Sequence, residues 1–136
     1  MVKIFPFVTG KTLDSHMEFL QRLKQKGAKV VKSHEGAVVI VFCPIVSRYE
    51  TDISAALSSA SAQGHEQVIL VALHPTFDKE YIVPNHGGFE SRALRLLVDC
   101  LFHEDQGLLK CPRNDTAVEE VCKELRSESW NWNCCR

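Results

Sequence analysis

The chain has 136 residues, of which 45% are hydrophobic and 24% charged, with a formal net charge of −1. That is the make-up of one globular domain, large enough to bury a core without staples. Near-neutrality gives no electrostatic reason for a nucleic-acid partner, and no apolar run approaches the roughly 20 residues of a membrane span.

The opening MVKIFPFVTGKT lacks the apolar core of a signal peptide and begins a strand over residues 3–8, so a cytoplasmic location is expected. The loop Thr9-Gly10-Lys11-Thr12 follows. Ser15 and Glu18 predict a capping box at the first helix, with Met17, Leu20 and Leu23 as its inner stripe and Gly27 as its stop. Residues 28–32 read as a short second strand. Residues 37–43 form an unbroken apolar run rich in β-branched side chains, the pattern of a strand covered on both faces. Ser47 and Glu50 predict a second capping box, and Ile53, Ala56, Leu57 and Ala60 share one stripe of a helix that Gly64 ends. Residues 67–73, QVILVAL, are a fourth strand of the same buried kind.

Residues 74–92 break this pattern. Pro75, Pro84 and Gly87-Gly88 punctuate them without a sustained apolar period, which suits a ligand-covering or partner-binding excursion. LRLLVDCLF, residues 94–102, fits two periods: Leu94, Leu97, Val98 and Leu101 mark a helix, while Leu94, Leu96, Val98, Cys100 and Phe102 mark one face of a strand. The strand is favoured, because HEDQG reads as a turn and LLKC as a short hairpin partner; the helix stays open. Thr116 and Glu119 predict the cap of a last helix whose stripe is Val118, Val121, Cys122 and Leu125. The result is one domain over residues 1–128 and a tail over residues 129–136. Trp130 and Trp132 in that tail are available to pack on the body or on a second subunit in a homo-oligomer.

Strand alternating with helix predicts an α/β domain in three layers, with a mainly parallel sheet of about five strands in the order 2-1-3-4-5 and a short C-terminal hairpin. Such an arrangement resembles flavodoxin-like and Rossmann-like folds. The segments FPFVTGKT, FCPIVSRYETDISAAL and VDCLFHEDQGLLKCPRN resemble those of a small family of uncharacterised proteins of bony fishes. That resemblance implies a single compact α/β domain in a cytosolic setting and brings no activity, substrate or cofactor with it. The cysteines at 43, 100, 111, 122, 134 and 135 include no C-x-x-C pair, and His103, Cys111 and Cys122 lack zinc-site spacing, so reduced thiols and no metal are expected. Asn133 in the terminal NCCR stands where a prenylation box needs cysteine.

In an open parallel sheet, ligands gather outside the carboxyl ends of the strands where the strand order reverses. Here that point lies between the first and third strands, so Thr9, Gly10, Lys11 and Thr12 should face Ser47 and Arg48. Both loops lead into helix N-termini, which favour a phosphate, carboxylate or nucleotide. Three sharper readings compete. Gly10-Lys11-Thr12 ends like a P-loop, but Phe5 replaces the first glycine, and the phosphate cradle cannot form. T-G-K-T is similar to the phosphate loop of flavodoxins, which implies FMN; a polar turn accounts for so short a motif, and no cofactor is expected. PIVSRYETDISAAL resembles the loop and helix of nucleoside deoxyribosyltransferases, in which a nucleophilic glutamate follows a threonine by three positions. From Thr51 that count reaches Ser54, which is no carboxylate. Glu50, Asp52 and His74 remain as catalytic candidates, with Asp78 and His103 as companions to His74. The expectation is a non-catalytic domain that binds a small anionic ligand or a protein partner, with a nucleoside-processing enzyme and a homo-oligomeric interaction module as alternatives.

Overall fold

The computed structural model describes residues 2–83 and 91–128. Its elements are β1 (Lys3–Val8), α1 (Ser15–Gln25), β2 (Lys29–Val30), β3 (Val38–Pro44), α2 (Tyr49–Ala62), β4 (Val68–Pro75), β5 (Leu94–His103), β6 (Gly107–Leu108) and α3 (Pro112–Glu128). The strands form one sheet in the order β2-β1-β3-β4-β5-β6, parallel throughout except for β6, which turns back antiparallel to β5. This is an α/β fold of the broadly flavodoxin-like or Rossmann-like kind, with the expected order and one short edge strand added. The tail with Trp130 and Trp132, and the 84–90 part of the predicted excursion, lie outside the described residues.

Handedness explains the layers. From β1 the chain steps outward to β2, whereas from β3 it steps the opposite way to β4. Strand–helix–strand crossovers are right-handed, so the two steps put α1 and α2 on opposite faces. On the α1 face, Phe19, Leu20 and Leu23 pack with Ile4, Ile40, Phe42 and Val71, and α3 adds Val118, Val121 and Leu125. On the other face, α2 lays Tyr49, Ile53, Ala56 and Ala60 over Val41, Cys43, Leu70 and Ala72. All seven residues of β3 are buried, as are all of β4 before Pro75. Burying one such Val, Ile or Leu side chain contributes roughly 1.5–3 kcal/mol.

Several expectations are corrected. None of the three predicted capping boxes forms. The N-cap of α1 is Asp14 and that of α2 is Arg48, neither with a side-chain cap bond, and α3 starts at Pro112, four residues before Thr116. Proline is pre-set for the first helical turn, where its missing N–H costs nothing. Met17 is exposed, and Phe19 takes the inward place given to it. β2 is limited to two residues. The hairpin strand is Gly107–Leu108 rather than residues 108–111, because Glu18 reaches across from α1 to accept the Leu108 amide at 2.9 Å. A side chain at Gly107, where φ is 71°, would collide with that carboxylate. Residues 94–102 are strand, since β4 offers them a parallel register from Val68 to Pro75 that is broken only by a shift at Arg95.

Beyond Phe102 the short β6 leaves the edge of β5 to a side chain. Asn114, wholly buried in the first turn of α3, accepts the Leu101 amide at 2.8 Å. Its own amide group donates to the carbonyls of Leu101 at 2.9 Å and Leu109 at 2.7 Å. The side chain thus continues the ladder where backbone is missing. At the opposite, amino end of the sheet, His65 is buried against Phe5 and Phe7, with ring centroids at 5.6 and 5.4 Å, and against His34 at 5.0 Å. Burial, then the charge of His34, lower its pKa. Burial also lowers that of His16, against the opposing pull of Asp14.

Two outcomes follow from these buried groups. Asn114→Leu should destabilise the fold by roughly 2–4 kcal/mol in urea titrations, since it strands buried backbone groups. Asn114→Asp should do no better, because a carboxylate cannot donate to the two carbonyls. A histidine whose folded pKa is depressed binds more protons when unfolded, so its contribution is present above the unfolded value and lost as pH falls. The thermal midpoint should therefore fall as pH drops below 6.5, the unfolded reference. His65→Phe should gain on the wild type over that same range, as read by calorimetry from pH 8 to 5.

Candidate functional site at the carboxyl rim

β1 and β3 are neighbours, and their following loops meet as the strand order requires. The approach is close: a Cβ on Gly10 would lie 2.9 Å from Cγ of Pro44, so only glycine fits. Between the loops is a crevice of about 290 Å³ lined by Thr9, Gly10, Lys11, Cys43, Val46 and Asp52 among others. Thr9 to Lys11 thus line one side of it, while Ser47 and Arg48 stand on the facing loop and Thr12 turns inward.

Several hydrogen-bonding groups at the crevice already have partners within the chain. The Thr9 hydroxyl donates to the carbonyl of Phe42 at 3.1 Å. Thr12 is buried, its hydroxyl bonded to Nδ1 of His16 while its carbonyl accepts the Ser15 hydroxyl at 2.7 Å. On the facing loop, Oδ2 of Asp52 accepts the amides of Val46 at 2.8 Å and Ser47 at 2.9 Å. Its Oδ1 accepts the Ser47 hydroxyl at 3.0 Å. Partial burial works to raise the Asp52 pKa, but these three donors outweigh it and hold the carboxyl below its ordinary range. The protein therefore supplies its own anion at this loop. Lys11 and Arg48 remain exposed at the rim, as does Glu50 in the first turn of α2.

Next to the crevice, three polar side chains converge. His74, at the end of β4, lies 2.9 Å from Oδ1 of Asp99 on β5 through its Nε2. The Tyr49 ring stacks on His74 at 5.7 Å between centroids and 15° between planes. Burial pushes the Tyr49 phenol far up, and the charge of Asp99, to which it hydrogen-bonds, pushes it further. Burial likewise raises the Cys43 thiol to about 11, eased by a bond with Thr9 and reinforced by the charge of Asp52. Neither is an activated nucleophile at neutral pH. His74 is only 4% exposed, so the cluster ties α2, β4 and β5 together. Its partners are Asp99 and Tyr49, not the expected Asp78 and His103; the latter instead packs edge-on against Phe77. Asp52 and His74, two of the catalytic candidates, thus sit in separate networks.

The apolar groups are arranged differently. Among the described residues, the exposed large hydrophobics are Val8, Leu13, Met17, Val46, Phe77, Tyr81 and Ile82. Val8 ends β1, Leu13 and Met17 come after it in the chain, Val46 follows β3, and Phe77, Tyr81 and Ile82 follow β4; Val46 and Ile82 are each 82% exposed. Within this rim a groove of about 430 Å³ is lined by Leu13, Pro75, Phe77, Phe102, His103 and Glu104 among others. A larger groove of about 710 Å³ lies elsewhere, between α1 and the chain entering α3. Its polar groups serve one another, with Arg22 bound to Asp115 at 2.7 Å and Glu18 to Leu108. Among the described residues no group of three His, Cys, Asp or Glu side chains is placed to hold a metal.

Tyr49 and the rim hydrophobics are additions to the residues expected from sequence, while Asp99, whose place on an apolar stretch suits an ion-paired residue better than a base, is found paired with His74. Asp99 interrupts an apolar strand opposite Ala72, and that interruption is the one signal the sequence offers. The exposed Phe77, Tyr81 and Ile82 carry no periodicity to mark them.

Removing the internal anion tests this account of the crevice. Asp52→Ala should vacate two amides and a hydroxyl and so gain affinity for inorganic phosphate, read as a phosphate-dependent rise in melting temperature at least several-fold above that of the wild type. Comparison of the chain with protein-family models, with curated proteins and with solved structures finds no match, so its function has to be read from this geometry.

Proposed function

We propose that this chain is a non-catalytic, cytosolic binding domain that holds a protein partner on the carboxyl rim of its sheet. The observation that carries the reading is that the exposed large hydrophobics of the described residues all lie at or after the ends of β1, β3 and β4, with Leu13 and Phe77 facing one groove there. Contiguous exposed apolar surface costs solubility and marks interaction sites far more often than it occurs idly. Thr9, Thr12, Ser47, Asp52 and His74 beside it are engaged internally, so exposed apolar side chains are a large part of what the rim offers a partner. A small anion in the crevice would have to displace Asp52 from Val46 and Ser47, so the partner is favoured over the anionic ligand. A nucleoside-processing reaction is disfavoured for the same reason, since the Asp52 carboxylate is committed to its own loop. The buried thiols of Cys43, Cys100, Cys111 and Cys122 support the cytosolic part of the proposal. Among the described residues no helix is long and apolar enough to cross a membrane.

A photo-crosslinking amino acid placed at position 46 on the rim, or at position 61 at the far end of α2, provides the test. In purified protein and in extract of the source cells, position 46 should form protein cross-links and position 61 should not. Phe77→Ser combined with Ile82→Ser should remove those cross-links while leaving the melting temperature nearly unchanged, because both side chains are mostly in solvent. Equal cross-linking from both positions, or cross-links indifferent to the double substitution, would overturn the proposal.

A further inference from the structure

The partner's chemistry can be narrowed, on the reading that the rim binds protein. We infer that the 430 Å³ groove takes a protein segment that inserts one large apolar side chain and carries a lysine or arginine beside it. The apolar half of the inference comes from the groove itself. Phe102 is buried beneath it, while Leu13 and Phe77 stand at its sides, 53% and 72% exposed. An apolar recess whose walls are themselves exposed is the form of an anchor pocket, in which a single side chain supplies most of the binding energy.

The basic half comes from what lies next to those walls. Each of the three chain segments that build the groove sets an acid directly after its lining residue. Asp14 follows Leu13, Asp78 follows Phe77, and Glu104 and Asp105 follow His103; all four acids are exposed. Lys11 and Lys79 are the basic residues of the same segments, and the acids outnumber them. Glu104 lines the groove itself and the other three acids adjoin lining residues in the chain, an excess of negative charge that attracts a basic flank and repels an acidic one. The backbone adds a further sign of selection. Leu13 and Asp14 both take left-handed conformations, with φ of 53° and 68°. A leucine held there is strained, and such strain collects at ligand clamps.

Three fluorescein-labelled peptides test the inference by anisotropy against the full chain: a central leucine flanked by arginines, by glutamines or by glutamates. The arginine peptide should bind tightest and the glutamate peptide weakest, with the difference shrinking as salt is raised. Glu104→Gln with Asp105→Asn should weaken the arginine peptide about fivefold and leave the glutamine peptide unchanged, as expected for a pair of exposed charge contacts. Leu13→Gly should weaken all three peptides without lowering the melting temperature, because glycine relieves the left-handed strain. Absence of binding, or equal affinity for the three peptides, overturns the inference. If rim cross-linking at position 46 survives that result, the partner-binding reading stands and only the basic-segment assignment falls; if it too is lost, both fall.

Discussion

A strand of almost wholly apolar side chains needs cover on both of its faces, and this chain has two in succession. β3 and β4 are buried from end to end but for Pro75, so they occupy the centre of the sheet and demand helices above and below. With only one helix between them to serve one face, the other face must be closed by α1 and α3. Right-handed crossovers then leave one arrangement, in which β1 lies beside β3 and the chain's direction of travel across the sheet reverses between them. The carboxyl ends of the parallel strands are brought to one rim by the same requirement.

What the rim becomes is decided by how its polar groups are satisfied. Helix starts expose free amides, and a flavin- or phosphate-binding relative of this architecture would offer them to a ligand. Here Asp52 reaches back to the loop before its own helix and takes those amides. Thr9 and Thr12 likewise turn their hydroxyls to Phe42 and His16. His74, Asp99 and Tyr49 close on each other under 10% or less exposure of the histidine and tyrosine. A rim so satisfied has little left for a small polar guest. Its apolar side chains have no such internal outlet, because the core beneath is already filled by β3 and β4.

Ile53, Ala56, Leu57 and Ala60, and Val118, Val121, Cys122 and Leu125, were found because helical periodicity is a local property. Serine–glutamate spacing is local too, yet all three capping boxes failed. Glu18 found a better partner in the Leu108 amide, 90 residues away, and the Ser47 amide and hydroxyl went to Asp52 rather than Glu50. Spacing alone points Met17 inward, but the helix is rotated so that the bulkier Phe19 meets Phe42 with ring centroids 5.8 Å apart. Where two local solutions have similar energies, a distant contact chooses between them.

The sequence by itself determined the fold class, the strand order and the facing of the two loops at the crevice, because apolar runs and their spacing dictate which faces must be buried. Only the tertiary structure decided that Asp52 fills the anion position, that Asn114 stands in for a missing strand, and that Leu13 and Phe77 meet at one groove. The physical reason is range. Burial acts on each segment through its own composition, whereas hydrogen-bond satisfaction and surface patches depend on which groups folding brings together from distant parts of the chain.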